Sequence, residues 1–282
     1  MTLYDEVAQQ TASIVIRRYS TSFGLASKLL GAGVRQHVEN IYALVRVADE
    51  IVDGSGEAAG LSLLATGQTL NALEAETELA METGFSANLV VHAFALTARE
   101  TGFGSELTRP FFESMRMDLT ETEHDQESFD RYVYGSAEVV GLMCLRAFVK
   151  NETVDDDEAL VKGARALGAA FQKVNFLRDL AADFDALGRS YFPGVRVDAF
   201  TESDKLRLLD DIDADLAVSA AVLPQLPASS RRAVALAQSL FAELSRRLRA
   251  TPASTLRTTR VRVPNPVKAR LALAAASGRL PS

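Results

Sequence analysis

The stretch GARALGAAFQKVNFLRDLAADFDALGRSYFP, residues 163–193, is the one from which the rest of the chain is best understood. At about 100° per residue, a helix here brings Gln172, Asn175, Asp179 and Asp183 within an arc of roughly 80°. Phe171, Val174, Phe176, Leu177 and Leu180 wrap most of the remaining circumference. A polar stripe on an otherwise apolar helix reverses the pattern of an ordinary surface helix. Amides and acids turned inward need partners, because unpaired buried polar groups are costly. Asp179 and Asp183, one turn apart, also repel each other. A bound cation answers both demands; a solvated acidic face is the plainer alternative.

A second acid pair has the same spacing. In VRQHVENIYALVRVADEIVDG the spacing predicts a helix from near Val34 to Val52. Asp49 and Asp53 stand at i and i+4, with Tyr42 and Arg46 on their stripe and Glu50 about 100° away. Gly54 and Gly56 end this helix. Two such pairs, about 130 residues apart, are far harder to ascribe to chance than one.

Nearly every other segment has helical periodicity, and no strand alternation or repeat emerges. The RRYSTSF turn offers Ser20, Thr21 and Ser22, followed by Phe23, either as a phosphate contact or as a plain inter-helix turn. Residues 61–104 read as two amphipathic helices broken at Gly84. From Leu107 onward, Phe111, Phe112, Met115 and Met117 read as core, while Asp118, Glu121 and Glu123 read as a solvated face. The FDRYVYGSAEVVG stretch offers Tyr132 and Tyr134 as an aromatic wall or phosphate-directed hydroxyls. Asp155–Glu158 read as charge at a helix N-terminus, and Pro224 and Pro227 as a helix junction.

With 282 residues, 48% hydrophobic, the chain can bury a large core. No linker divides it, so residues 1–282 are expected to form a single domain. No run of about 18 apolar residues predicts a membrane span, and the first 30 residues lack a signal-peptide pattern, pointing to the cytoplasm. The lone Cys144 excludes an internal disulfide and sits in an apolar setting, and three scattered histidines offer no zinc spacing. Residues 231–282 carry eleven Lys and Arg against one acid, a net of +10, which leaves −17 for residues 1–230 against a whole-chain −7. That basic end, with Arg260 and Lys268 around Pro264 and Pro266, suits either an anionic surface or an anionic substrate held on the acidic part. No aromatic residues interleave with the arginines, which argues against nucleic acid.

Taken together, these motifs resemble the squalene/phytoene synthase family of head-to-head isoprenyl diphosphate synthases. The resemblance is carried by Leu167-Gly168, Gln172, Asn175-Phe176, Arg178-Asp179, Asp183 and Arg189-Ser190-Tyr191-Phe192-Pro193. YALVRVADEIVD, STSF, YVYGSAEVVG and RVRVP with Lys268 extend it from about residue 20 to 270. Glu50, Thr21 and Glu138 depart from the family pattern. The resemblance implies an all-α, single-domain helical bundle of the isoprenoid-synthase type around a central cavity.

It also implies Mg²⁺, or Mn²⁺ in its place, held by Asp49, Asp53, Asn175, Asp179 and Asp183. Arg46, Arg178, Arg189, Arg260 and Lys268, with Ser20 and Ser22, would neutralise diphosphate oxygens, and Thr21 and Gln172 join them as substrate-binding candidates. Two prenyl diphosphates, C20 for a phytoene-type end, would condense through a cyclopropylcarbinyl diphosphate. NADPH is implied only for squalene as product, and a peripheral membrane contact would serve product release. Squalene or dehydrosqualene formation from C15 chains, a class I terpene cyclase and a non-catalytic binding factor of the same fold are the alternatives.

Overall fold

The computed structural model describes residues 1–150, 152, 157–187 and 190–278; the side chains of residues 21, 22, 57 and 181–187 also lie outside the described set. Among the described residues the chain is helical, and the only extended pairing is an isolated bridge between Glu123 and Ser190.

Among the described residues, fourteen α-helices follow one another: α1 (Leu3–Tyr19), α2 (Thr21–Ser27), α3 (Ala32–Asp53), α4 (Ser55–Ala58), α5 (Leu63–Thr83), α6 (Leu89–Thr101), α7 (Ser105–Thr120), α8 (Gln126–Val133), α9 (Val139–Val149), α10 (Asp157–Leu187), α11 (Glu202–Val222), α12 (Ala228–Ala250), α13 (Ala253–Leu256) and α14 (Asn265–Ala276). Local sequence sets many of the boundaries. Thr2 and Asp5 form a capping box at the start of α1, and Ser62 caps α5. Gly84 and Gly102, both left-handed, end α5 and α6. The acid run expected at the start of α10 is described from Asp157 onward; Asp155 and Asp156 lie outside the described residues.

Two apolar clusters hold the bundle. One joins α1, α3, α5, α6, α7 and α9 around Phe94, Phe111, Phe112 and Leu44. The other joins the C-terminal half of α10 to α11, α12 and the Tyr191–Phe200 segment. Phe111, Phe112, Met115 and Met117 are core, as expected. Asp118 is not solvated as its acidic surroundings suggested. It is 6% exposed, and both its oxygens accept from the Tyr132 hydroxyl at 2.9 Å, with Tyr191 adding a longer bond at 3.4 Å.

Between α8 and α9 the chain passes through one π-helical turn, Tyr134–Glu138, without leaving the helical path. Such wide turns often mark functional sites. The joined span Gln126–Val149 is long and apolar enough, by length and composition alone, to cross a membrane. Glu138 and Arg146 interrupt the run, which is why the sequence reading found no span there. In the bundle this span packs against α3, α7 and α10. Glycines allow the contact with α10. A Cβ on Gly168 would stand 2.5 Å from the Ala137 carbonyl, and one on Gly141 2.5 Å from that of Ala164. The backbones therefore meet where a larger side chain would force them apart.

Candidate active site

A cavity of about 290 Å³ lies between α2, α3, the π turn, α9, α10, α11 and α12. Its wall is almost wholly apolar. Its polar lining residues include Tyr42 from α3, Gln172 and Asn175 from α10, and the serines Ser27, Ser136 and Ser219. Val45 and Asn175 are the last wall residues of their helices. One turn beyond them, at i+4, come Asp49 on α3 and Asp179 on α10. Phe23 lies against both Tyr42 of α3 and Phe171 of α10, and Asp53 acts on Tyr132, which packs on Phe176 of α10, so the acid-bearing ends of the two helices lie on the same side of the cavity.

In each helix the nearest acid is held by arginine. Arg46 donates to Asp49 and to Glu50, and its guanidinium lies 4.5 Å from the centre of the Tyr19 ring. Its Nε is buried without a protein partner. Glu50, the departure from the family pattern, is turned to Ser55, whose hydroxyl donates at 2.6 Å. That leaves Asp49 and Asp53 as the pair on the inner stripe. Burial pushes the Asp49 carboxyl up to about 6, Arg46 pulls it down, and Asp53 and Glu50 push it up again.

Asp179 stands between two guanidiniums. Its neighbour Arg178 donates through Nε at 3.0 Å and through Nη2. Arg260 completes the pairing, its Nη2 donating at 3.1 Å and its Nε an ion-pair contact at 2.8 Å. Arg178 and Arg260 also line a second pocket of about 410 Å³, with Arg262, Asn265 and Lys268. This pocket is the cationic counterpart of the acid pairs, and Phe241 forms part of its wall. Phe241 stacks on Phe171 of the apolar cavity at 3.8 Å, and Phe23 lies 5.5 and 5.8 Å from that pair. An aromatic partition therefore separates the greasy space from the basic one.

The structure thus gathers Asp49, Arg46, Phe23, Gln172, Asn175, Arg178, Asp179, Arg260 and Lys268 around one end of the cavity and the adjoining pocket. Ser20 caps α2, accepting from the Phe23 amide at 3.0 Å. The side chains of Thr21, Ser22 and Asp183, and Arg189 as a whole, lie outside the described residues. Tyr132 and Tyr134 are not in the cavity wall. Tyr132 is buried against Asp118 and Tyr191, and Tyr134 lies under Arg165, whose guanidinium carbon is 5.2 Å from the ring centre. Glu138, which could have obstructed the cavity, instead accepts from Arg165 at 2.6 Å.

Two features escaped the sequence reading. Asp118 lies on the face of α7 that carries Phe111, Ser114 and Met115, so its helical register was the available clue. Ser136, in the π turn, lines the cavity with a buried hydroxyl that has no protein partner; nothing in its sequence context distinguishes it. Cys144 also lines the cavity, where burial pushes its thiol up to about 12, the state of an inert apolar residue.

Among the described residues, no group of three or more His, Cys, Asp or Glu side chains could hold a metal ion by itself. Mg²⁺ does not require such a cage. It takes one or two carboxylates, with water and substrate phosphate oxygens completing the shell. Asp49, crowded by Asp53 and Glu50 and raised towards neutrality by burial, is an oxygen donor that a divalent cation would relieve. The donor set fits.

The chain is similar to known proteins over most of its length. The squalene/phytoene synthase family model matches residues 16–266. A 15-cis-phytoene synthase of Paracoccus sp. is 29% identical over 255 residues, 85% of this chain and 81% of that protein. A 4,4'-diapophytoene synthase of Staphylococcus haemolyticus is 28% identical over 203 residues, 71% of this chain and 66% of that protein. A ligand-bound dehydrosqualene synthase structure superposes with a TM-score of 0.78 at 22% identity, covering 97% of each chain, so the fold is the helical one of the isoprenoid synthases. By its matching residues and its architecture, the chain belongs to the squalene/phytoene synthase family of prenyltransferases.

Proposed function

We propose that the protein condenses two molecules of geranylgeranyl diphosphate head to head, giving phytoene and releasing diphosphate, with Mg²⁺ as cofactor. One observation carries this reading: the acids of α3 and α10 stand past the same end of an apolar cavity, beside a cluster of arginines. Asp49, Asp53, Asp179 and Asp183, with Asn175, would hold the metal. When bound, Mg²⁺ neutralises diphosphate oxygens and makes them a better leaving group.

The protein's own groups supply the rest. Arg178 and Arg260, held on Asp179 while no substrate is present, are placed to exchange that carboxylate for diphosphate oxygens. Lys268 and Arg262 add charge to the same pocket. As the C1–O bond breaks, diphosphate leaves with the electron pair, and the allylic cation stays in a cavity that excludes water. The double bond of the second chain attacks it, and loss of a proton closes the cyclopropylcarbinyl diphosphate. A second ionisation, rearrangement and proton loss give phytoene. The rings of Phe23, Phe171 and Phe241 offer π faces to the cation. A long hydrocarbon has no place in water, so a peripheral membrane contact for its release belongs to the same reading.

A C15 substrate is the second reading, favoured by the likeness to the diapophytoene synthase of Staphylococcus haemolyticus. Purified protein with Mg²⁺ and C15 or C20 diphosphate, with and without NADPH, decides between them when the hydrocarbon is identified. A C40 product formed without NADPH is expected. A C30 product alone supports the second reading, and no coupled hydrocarbon refutes both.

A further inference from the structure

The cavity follows α10 from Asn175 inward to Leu160. Those fifteen residues of helix span roughly 22 Å. α9 lies antiparallel beside them, since Ala137 meets Gly168 and Gly141 meets Ala164. By the same register Leu145 comes to the level of Leu160, with Cys144 just before it; Phe148 starts about one turn deeper, and its side chain leans back toward that level because helical side chains tilt to the N-terminus. There Leu145, Leu160, Leu223 and Leu226 form a buried cluster, with Phe148 and Val222 packed against it. The wall therefore changes with depth, from amides through small residues to a bulky end.

Prenyl chains come in fixed steps. With carbon–carbon bonds of about 1.5 Å and angles near 111°, an extended isoprene repeat of four bonds advances roughly 5 Å. Three units reach roughly 15 Å, the level of Ala164; four reach roughly 20 Å, and five roughly 25 Å. Only the fifth exceeds the distance to Leu160.

We propose that Phe148, backed by Leu160 and Leu223, is the stop that ends the prenyl tunnel after four isoprene units and makes C20 the longest chain this protein binds. The proposal rests on the prenyl diphosphate reading above and adds to it the residue that sets the upper limit. The compartment reached only by the fourth unit lies between Ala164 and Phe148, with Cys144 in its wall. A large side chain there should shorten the ruler, and a small one at position 148 should lengthen it.

The test uses unreactive thiolodiphosphate analogues of the C15, C20 and C25 chains, bound in the presence of Mg²⁺ to the wild type, Phe148→Ala and Cys144→Phe, with affinities read by calorimetry. The wild type should bind C25 at least about tenfold more weakly than C20, the scale of discrimination that an apolar pocket achieves. Phe148→Ala should recover that factor for C25 and keep C20. Cys144→Phe should lose about tenfold for C20 and keep C15. Phe148→Leu, a smaller change, should give a partial gain if the alanine variant does not fold. Wild-type binding of C25 equal to that of C20, or a C25-to-C20 ratio unchanged by both substitutions at Phe148, overturns the ruler. Coupling of the reactive diphosphates, assayed on the same preparations, tests the enzymatic reading separately. Shifted binding ratios without hydrocarbon leave the ruler standing and refute the enzyme, whereas coupling with unshifted ratios does the reverse.

Discussion

Arg260 pairs with Asp179 across 81 residues of chain, its Nη2 donating to Oδ2 at 3.1 Å and its Nε lying 2.8 Å from Oδ1 as an ion pair. The same carboxylate is held by Arg178, so an acid proposed to bind metal carries two guanidiniums in its place. That contact ties the basic segment after α13 to the acidic end of α10. It gives the charge asymmetry between the two parts of the sequence a local meaning: a C-terminal cation lies against an acid of α10.

Arg260→Ala should therefore weaken substrate handling and leave the fold unchanged. The Arg260 side chain is 51% exposed, so its ion pair adds little stability. Loss of one donor aimed at developing charge costs about 10²–10³ in kcat in comparable sites. Initial rates against diphosphate concentration check this, with circular dichroism as the fold control. A kcat/KM within about twofold of wild type would remove Arg260 from the diphosphate site.

Asp49 predicts a pH dependence. Its carboxyl ionises at about 6 in the folded chain against 3.8 for the free side chain. As pH rises from about 3.8, the unfolded chain releases a proton that the folded chain still holds, so stability falls through that window and the deficit is complete above about 6. A cation beside the carboxylate removes the deficit. Mg²⁺ with inorganic diphosphate should raise the thermal midpoint at about pH 8 and raise it much less at about pH 4.5, where the acid stays protonated. Asp49→Asn should flatten that difference. Equal stabilisation at both pH values, or an unchanged difference in the variant, contradicts a metal at Asp49.

Tyr132, turned to Asp118, is expected to support the fold and to make no contact with substrate. Its hydroxyl donates to the buried Asp118, and hydrogen bonds to charged groups contribute about 1.5–3 kcal/mol. Tyr132→Phe should lower stability to denaturant by about that amount and leave KM for prenyl diphosphate unchanged. A raised KM at unchanged stability would put the hydroxyl in the substrate path.

Legibility followed spacing. The stripe on α10 can be read from sequence because short polar side chains recur one turn apart among large apolar ones, and all of Val174, Phe176, Leu177 and Leu180 are buried as that pattern requires. The α3 pair is legible for the same reason. What spacing could not supply was direction between helices. Tyr132 and Tyr134 carry the aromatic character expected of a pocket wall, yet packing turns one to Asp118 and the other to Arg165. Asp118 sits among exposed acids in sequence, and only its register with Phe111 and Met115 hinted at burial. The partnership of Asp179 with Arg260 has no local signal at all, since it exists only once α10 and the C-terminal segment are folded against each other.

The most direct test compares conversion of C20 diphosphate with Mg²⁺ by the wild type, Asp49→Ala and Asp179→Ala, each checked for helicity. If the acids of α3 and α10 serve one site, the wild type yields a coupled hydrocarbon and free diphosphate, and each variant loses product while retaining its helical content. Product from either variant at a rate near that of the wild type, or none from the wild type, would contradict a shared site.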